Sequence, residues 1–190
     1  MKLGIFVGSF NPVHEGHIKV ANYLLENNYV DRVLILPTPN YWEKQDLIPV
    51  RHRYKMLKYF ETDKIIIDNK HNNYPFTYQV LRSLKKDYQD ELYLIIGSDN
   101  MPRLHEWRNI DEILNNKIIV LNRNNLDIDK YLDRFDRSKF VIVSDFPFID
   151  VSSTEIRNGN FKNIDPRVVD YIKKHQLYRG NNNGENKNWI

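Results

Sequence analysis

The stretch KLGIFVGSFNPVHEGHIKVANYLL, residues 2–25, contains the strongest indication of the fold. Its first part, KLGIFVGS, is a short and nearly continuous apolar run, typical of a β-strand buried on both faces of a sheet. After a turn rich in glycine and proline, apolar residues recur at Ile18, Ala21, Leu24 and Leu25 with the spacing of one helical face. The segment therefore predicts a strand, a tight turn and a helix.

The rest of the chain repeats this alternation. Further strand-like runs are RVLILP, KIIID, LYLIIGSD, KIIVLN and KFVIVSD. Helical spacing recurs between them at two sets of apolar positions: Met56, Leu57 and Phe60, then Val80, Leu81 and Leu84. The pattern predicts a single α/β domain with a Rossmann-like, doubly wound, mostly parallel sheet and helices on both faces. Ligands of such sheets bind beyond the carboxyl ends of the strands, so the candidate site residues follow the strands.

The size and composition are those of one folded domain, with 190 residues of which 41% are hydrophobic and 28% are charged. We expect this domain to span residues 1–179. The polar segment GNNNGENKNWI, residues 180–190, has little apolar content and is typical of a disordered tail. The chain has no cysteine, which excludes disulfides, thiolate nucleophiles and cysteine-bound metals.

Charge and hydropathy limit the classes of partner. The net charge of +3 suits anionic ligands but is too small for a nucleic-acid-binding surface. The longest apolar runs are far shorter than the ~20 residues of a membrane-spanning helix, and the first residues lack the features of a secretory signal. We therefore expect a cytoplasmic protein that binds neither nucleic acid nor membranes.

The turn GSFNPVHEGH, residues 8–17, combines features of a phosphate-binding segment. Gly8 allows a ligand to approach the backbone closely, and the start of the following helix presents N–H groups to an anion. His14 and His17 are three residues apart, so both imidazoles can face one phosphate and donate hydrogen bonds to it. An isolated HxxH pair is more often a surface or capping feature, and a zinc site lacks an obvious third ligand.

A second motif, VSSTEIR at residues 151–157, lies near the other end of the chain. Ser152 and Glu155 match the S/T-x-x-E capping box and so predict the start of another helix. Arg157 follows one turn later, where its guanidinium could hold the outer phosphates of a nucleotide. Alone, this motif is also compatible with an ordinary helix start and a solvated arginine.

Together the two motifs resemble those of the nucleotidylyltransferase superfamily, whose members pair a GxFxPxHxGH turn with a late SSTxIR segment. The pairing is far more specific than either motif alone. The resemblance implies that ATP binds with its phosphates between the two segments. The ATP-binding residues it implies are Gly8, Ser9, Phe10, His14, His17, Gly97, Asp99, Ser152, Ser153 and Arg157.

Over nearly the whole length apart from the tail, the chain also resembles bacterial nicotinate mononucleotide adenylyltransferases. IIGSDN at 95–100 is similar to the family's strand end, and LHEWRNIDEIL at 104–114 to its tryptophan segment. PFTYQVL at 75–81 is similar to its YTxxTL segment, although Phe76 and Val80 depart from the usual residues. The residues implied for nicotinate mononucleotide are Lys44, Thr77, Trp107, Arg108 and Arg123.

Two of these residues have alternative interpretations. The indole of Trp107 can stack on a pyridine ring, but a partly buried core tryptophan is an equal alternative. Lys44 lies in TPNYWEKQDL, which departs from the family's PPHK or PPHR, so it could neutralise substrate phosphates or be an exposed loop lysine.

The reaction implied by the resemblance is attack of the 5′-phosphate of nicotinate mononucleotide on the α-phosphorus of ATP, a step of NAD biosynthesis. It needs no side-chain nucleophile, because the attacking phosphate is already ionised. The catalytic residues implied are His14, His17, Lys44 and Arg157. The implied cofactor is Mg²⁺, held mainly by the ATP phosphates rather than by metal-ligating side chains.

Other functions stay open at this stage. The acceptor could be nicotinamide mononucleotide, whose ring differs mainly in charge and hydrogen bonding, or a phosphopantetheine. A non-catalytic nucleotide-binding regulator is disfavoured, because both histidines and Arg157 are present. An RNA-binding module is disfavoured, because the chain lacks a strongly basic face. The sequence leaves the oligomeric state open, a homo-oligomer included.

Overall fold

The computed structural model describes residues 1–40, 47–123 and 126–179. These residues form one six-stranded sheet in the order β3-β2-β1-β4-β5-β6, and every strand pair is parallel. The strands are β1 Lys2–Gly8, β2 Arg32–Pro37, β3 Ile65–Ile67, β4 Glu91–Gly97, β5 Lys117–Leu121 and β6 Phe140–Val143. Five lie within the strand-like runs of the sequence, β4 begins one residue before its run, and the predicted α/β class is confirmed.

Helices connect the strands and cover both faces of the sheet. The α-helices are α1 Glu15–Glu26, α2 Val50–Leu57, α3 Thr77–Asp87, α4 Ile110–Ile113, α5 Asp129–Leu132, α6 Ser153–Arg157 and α7 Pro166–Lys174. In the described part of the chain, 3₁₀ segments include Lys58–Phe60, Ser98–Glu106 and Arg137–Lys139. Phe60, which has helical spacing with Met56, lies in the 3₁₀ turn after α2 rather than in the helix itself.

The core consists of two layers, one on each face of the sheet. Successive side chains of a strand point to opposite faces, and in β2 both sets are buried. Val33 and Ile35 belong to the layer shared with α1, α2 and α7, whereas Leu34 and Leu36 belong to the layer shared with α3. This burial on both faces explains why the strands read as continuous apolar runs.

The strand order reverses between β1 and β4. The chain proceeds outward from β1 to β3 and then returns to add β4 on the other side of β1. The loops after β1 and β4 therefore diverge to opposite faces and leave a crevice at the carboxyl edge of the sheet. Gly8 and Gly97 end these two strands, so the predicted phosphate turn borders this crevice.

The structure bears on the predictions about membrane-spanning segments and about the end of the domain. Within the described ranges, no helix is long and apolar enough to cross a membrane. Residues 180–190, predicted to be a tail, lie outside the described residues, so the boundary at Arg179 stays a prediction.

A buried polar cluster joins the end of β3 to the end of α3. The His71 ring, whose side chain is 3% exposed, lies with Nδ1 2.9 Å from Asp68 Oδ2 and Nε2 3.0 Å from Asp87 Oδ2. The His71 backbone N–H also donates to Asp68 Oδ1 at 2.8 Å. The cluster anchors the connection that leads into α3.

We expect His71→Ala to lower the free energy of unfolding by ~2–4 kcal/mol, because it leaves the buried Asp68 carboxylate without its ring partner. Urea unfolding measures this loss. Lys70→Ala is the control, because Lys70 pairs with Asp87 at an exposed position and should cost less than ~1 kcal/mol. Equal losses in the two variants would contradict a stabilising role for the cluster.

Candidate active site

The β1–α1 turn and the VSSTEIR segment, the two motifs predicted to bind a nucleotide, are far apart in sequence but in direct contact. The Ser153 hydroxyl donates a hydrogen bond to the Pro12 carbonyl at 2.9 Å. The Arg157 Nη1 donates to the Asn11 carbonyl at 2.8 Å. Both acceptors lie in the turn between β1 and α1, so α6 is docked onto the predicted phosphate-binding segment.

Helix α6 begins as the capping motif predicts. Ser152 is its N-cap, and the hydroxyl oxygen accepts a hydrogen bond from the Glu155 N–H at 3.2 Å. The Glu155 carboxylate contacts the Ser152 hydroxyl at 3.2 Å, which differs from the backbone contact of the standard capping box. This single helical turn ends at Arg157, whose Nη2 also donates to the Thr154 hydroxyl.

His14 and His17 form a stacked pair at the start of α1. Their ring centroids are 3.7 Å apart, and the ring planes differ by 24°. The His14 backbone N–H donates to His17 Nδ1 at 3.2 Å. In the neutral His17 ring, Nδ1 is therefore the acceptor and the proton resides on Nε2. Gly16 makes this packing feasible, since a Cβ there would lie 3.0 Å from both the His14 ring and Val151.

Burial keeps both imidazoles neutral at neutral pH. Burial, reinforced by the positive charge of Arg123, lowers the pKa of His14 to about 4. The pKa of His17 is also lowered well below its usual range, first by burial and then by His14 and Arg123. His14 Nδ1 is buried without a hydrogen-bond partner among the described residues. The pair is thus suited to donate hydrogen bonds to an anion rather than to act as general acids.

The histidines line a cleft of about 310 Å³. The polar part of its lining includes Arg123 and the start of α6. The apolar part of its lining, the apolar wall, includes Phe6, Leu121, Phe146, Phe148, Ile149 and Val151. A cleft that combines hydrogen-bond donors with an apolar wall matches the two chemical parts of a nucleotide.

Residues after β4 and β5 complete this cleft. The buried Ser98 hydroxyl donates to the Arg123 carbonyl at 3.0 Å and accepts from the Arg123 N–H at 2.9 Å. The Arg123 guanidinium lies 5.2 Å from the centre of the Phe148 ring. A Cβ on Gly97 would collide with the Asp99 carboxylate, so glycine is required for that carboxylate to fold back at the strand end.

A second cleft of about 310 Å³ lies beside the first. Asp99, Asn100, Arg103, Glu106 and Trp107 line it, and Asp99 borders both clefts. Trp107 is partly buried and also packs against the core layer under α3. Its two predicted roles, a ring contact and a core residue, are therefore compatible.

The other described residues predicted for the mononucleotide are not among those that line the cleft of Trp107. The Arg108 guanidinium lies 4.8 Å from the centre of the Phe76 ring, and Thr77 follows as the first residue of α3. This contact places the start of α3 beside the tryptophan segment. Arg123 instead lines the histidine cleft, and its predicted role toward the mononucleotide stays a prediction. Lys44 lies outside the described residues.

Sequence reasoning missed several residues at this edge of the sheet. Phe148 and Ile149 follow β6 in the segment FPFID, and an apolar segment just after a strand was the available signal. Arg53 gave no signal, because an arginine on an amphipathic helix is normally solvated.

In the described part of the chain, no group of three or more His, Cys, Asp or Glu side chains could hold a metal ion.

Comparison with known proteins defines the class first. The family model described as cytidylyltransferase-like matches residues 5–159. The chain belongs to this family of nucleotidyltransferases. A solved structure of Plasmodium falciparum nicotinic acid mononucleotide adenylyltransferase complexed with NaAD matches with a TM-score of 0.74 and 22% identity. The match covers 93% of this chain and 97% of that one, and it shows a shared fold.

Two relatives specify the group within the class. The probable nicotinate-nucleotide adenylyltransferase of Clostridium tetani is 32% identical, covering 94% of this chain and 99% of that protein. The protein of the same name from Fusobacterium nucleatum is 35% identical, covering 92% and 96%. Within the family, the chain falls among the nicotinate-nucleotide adenylyltransferases.

The lowered pKa of His14 makes stability depend on pH. In the unfolded chain His14 titrates near 6.5, and in the folded protein near 4. Between these values only the unfolded chain binds the proton. Stability is therefore fully present above about pH 6.5 and is lost as the pH falls toward 4.

Lowering the pH from 7 to 4.5 reduces the free energy of unfolding of the wild type. We expect this reduction to be ~2–3 kcal/mol smaller in His14→Asn, because the variant lacks the His14 titration. Urea unfolding at the two pH values gives the difference. His105→Asn is the control, because the His105 side chain is 38% exposed, and it should keep the wild-type dependence. An unchanged pH dependence in His14→Asn would contradict the lowered pKa.

Proposed function

We propose that the protein transfers the adenylyl group of ATP to nicotinate mononucleotide, giving nicotinate adenine dinucleotide and pyrophosphate in NAD biosynthesis. One observation carries the proposal: the docking of α6 on the β1–α1 turn beside a neutral histidine pair. The names of the relatives that match nearly the whole chain support the same substrates.

ATP occupies the histidine cleft in this proposal. Its phosphates lie between the β1–α1 turn and the start of α6, within reach of His14, His17 and Arg157. The adenosine part lies against the apolar wall around Phe148, and Asp99 at the end of β4 faces its ribose hydroxyls. The guanidinium groups of Arg123 and Arg157 supply fixed positive charge, since both histidines are neutral.

The chemistry requires alignment and charge stabilisation rather than a protein nucleophile. A 5′-phosphate oxygen of the mononucleotide forms a bond to the α-phosphorus of ATP. The bond from that phosphorus to the α,β-bridging oxygen breaks, and pyrophosphate leaves with the electron pair. The Nε2–H of His17 donates to an oxygen of the α-phosphate as negative charge develops there.

Magnesium fits this site through the nucleotide. Asp99 is the one carboxylate among the described residues that line the histidine cleft, whereas the remaining polar groups there are mostly N–H and O–H donors. Such donors bind phosphate oxygens rather than a cation. A Mg²⁺ ion would therefore be held mainly by the ATP phosphates, where it would supply charge neutralisation.

Nicotinate mononucleotide occupies the adjacent cleft in this proposal. Trp107 stacks on the pyridine ring in this cleft, and Thr77 and Arg108, which the Arg108–Phe76 contact brings together, keep their predicted role toward the ring carboxylate. Asp99 borders both clefts, so the two substrates lie next to each other. Lys44 retains its predicted role toward the substrate phosphates.

Pyrophosphate release tests the activity directly. The purified full chain is incubated with ATP, Mg²⁺ and one acceptor at a time: nicotinate mononucleotide, nicotinamide mononucleotide or phosphopantetheine. We expect the highest kcat/KM with nicotinate mononucleotide. A higher value with either other acceptor, or no release with any of them, would contradict the proposed function.

We expect His17→Ala to lower kcat by ~10²–10³-fold while the KM for ATP changes much less, because one donor to the developing charge is lost. Steady-state pyrophosphate release measures both constants. His175→Ala, which removes an exposed histidine just after α7, is the matched control and should behave as wild type. Near-normal turnover of His17→Ala would exclude the imidazole from the reaction centre.

Trp107→Ala should weaken the apparent binding of the mononucleotide by roughly 5- to 150-fold, because stacking and apolar burial contribute ~1–3 kcal/mol. The KM for ATP should change little, and Trp107→Phe should recover much of the loss. KM values and melting temperatures of both variants decide the outcome. If Trp107 were purely structural, its truncation to alanine would instead lower the free energy of unfolding by ~3–5 kcal/mol and weaken the binding of both substrates equally.

A further inference from the structure

Arg53 on α2 is completely buried, with 0% of its surface exposed. Its guanidinium donates to three backbone carbonyls: Ile48 at 3.0 Å, Ser9 at 2.8 Å and Thr38 at 2.6 Å. It also donates to the Asn40 side-chain oxygen at 3.2 Å. Among the described residues, no carboxylate forms an ion pair with it.

A buried cation without a carboxylate partner is costly. Burial lowers the pKa of Arg53 to about 10, so the side chain remains charged at neutral pH despite this cost. The planar guanidinium carries five N–H donors in a fixed fork, more than any other side chain, and here they reach carbonyls of separate segments at once. The position therefore requires the geometry of arginine. Its guanidinium joins the end of β1, through the Ser9 carbonyl, to the end of β2, through the Thr38 carbonyl.

The contact with Ser9 acts on the most strained part of the phosphate-binding turn. Phe10, the next residue, has φ 45°, in the left-handed region that bulky side chains rarely adopt. Such a conformation persists only where the surroundings hold it. By fixing the Ser9 carbonyl, Arg53 fixes the peptide that precedes Phe10.

The Phe10 ring connects this turn to the reaction centre. It is 2% exposed and packs edge-on against the His17 ring, with centroids 4.9 Å apart. It also packs edge-on against Phe6 at 5.3 Å. The His17 ring is thus contacted by the Phe10 ring, by the stacked His14 ring and by the His14 N–H.

We propose that Arg53 is a positioning residue for His17, acting through the Ser9 carbonyl and the left-handed conformation of Phe10. This inference rests on the proposed function, in which His17 donates to the α-phosphate. Arg53 makes no contact with substrate in this account. A purely structural Arg53 would affect stability but not the reaction of the folded enzyme.

Kinetics of Arg53→Lys and Arg53→Met test the proposal. Lysine keeps the charge but cannot reach the separate carbonyls together, so both variants should lower kcat by ~10- to 100-fold with little change in either KM. Arg51→Met is the matched control, because Arg51 is an exposed arginine of the same helix. Both variants are assayed below their measured melting temperatures, and Arg53→Lys alone suffices if Arg53→Met does not fold. Wild-type kcat in the folded Arg53 variants, whatever their melting temperature, would overturn the proposal.

A double-mutant comparison tests the route through Phe10. If Arg53 acts through this ring, the fold-loss in kcat of Arg53→Lys combined with Phe10→Ala should be smaller than the product of the single losses. A loss equal to that product would overturn the proposed route.

A measurement independent of turnover separates this proposal from the proposed function. Long-range ¹H–¹⁵N spectra of the imidazoles should show His17 with its proton on Nε2 in the wild type and a different or mixed state in Arg53→Lys. An unchanged His17 signal in Arg53→Lys would contradict the positioning role. If the wild-type enzyme itself showed no turnover, that result would contradict the proposed function, and the spectral comparison would still test the role of Arg53.

Discussion

The docking of α6 on the β1–α1 turn is the interaction on which the site depends. Ser153 and Arg157 each donate to a carbonyl of that turn, across 141 and 146 residues of sequence. The parallel sheet makes this contact feasible, because the carboxyl ends of β1, β4, β5 and β6 all lie at the same edge of the sheet. The contact uses Nη1 of the Arg157 guanidinium, so this residue builds the site, and in the proposed function it also supplies charge there.

The electrostatic design separates two tasks that a charged histidine would combine. His14 and His17 are buried beside Arg123, and these surroundings lower the pKa of each ring. In the proposed reaction, the two rings would donate hydrogen bonds while Arg123 and Arg157 supply the fixed positive charge. The N–H of a neutral imidazole is a very weak acid, so its proton is not transferred to phosphate. The hydrogen bond can therefore strengthen as charge develops on the phosphate, without a change of protonation state.

Much of this arrangement could be predicted from the sequence, and the limits have physical causes. Strand runs and the cap at Ser152 depend on local patterns, and the structure bears them out. The position of Arg123 depends on which strand neighbours which, and local patterns do not encode that order. Arg53 was missed because its acceptors come from separate loops, whereas Phe148 was missed because apolar residues after a strand have no motif. The role of each site residue stays a proposal.

Hydrogen–deuterium exchange of the full chain with ATP and Mg²⁺ tests the central claim most directly. If the triphosphate lies between the β1–α1 turn and α6, ATP should slow amide exchange in residues 8–18 and in residues 151–158 together. Adenosine, which lacks the phosphates, should not protect either segment to the same degree. Protection of one segment without the other, or equal protection by adenosine, would contradict the account.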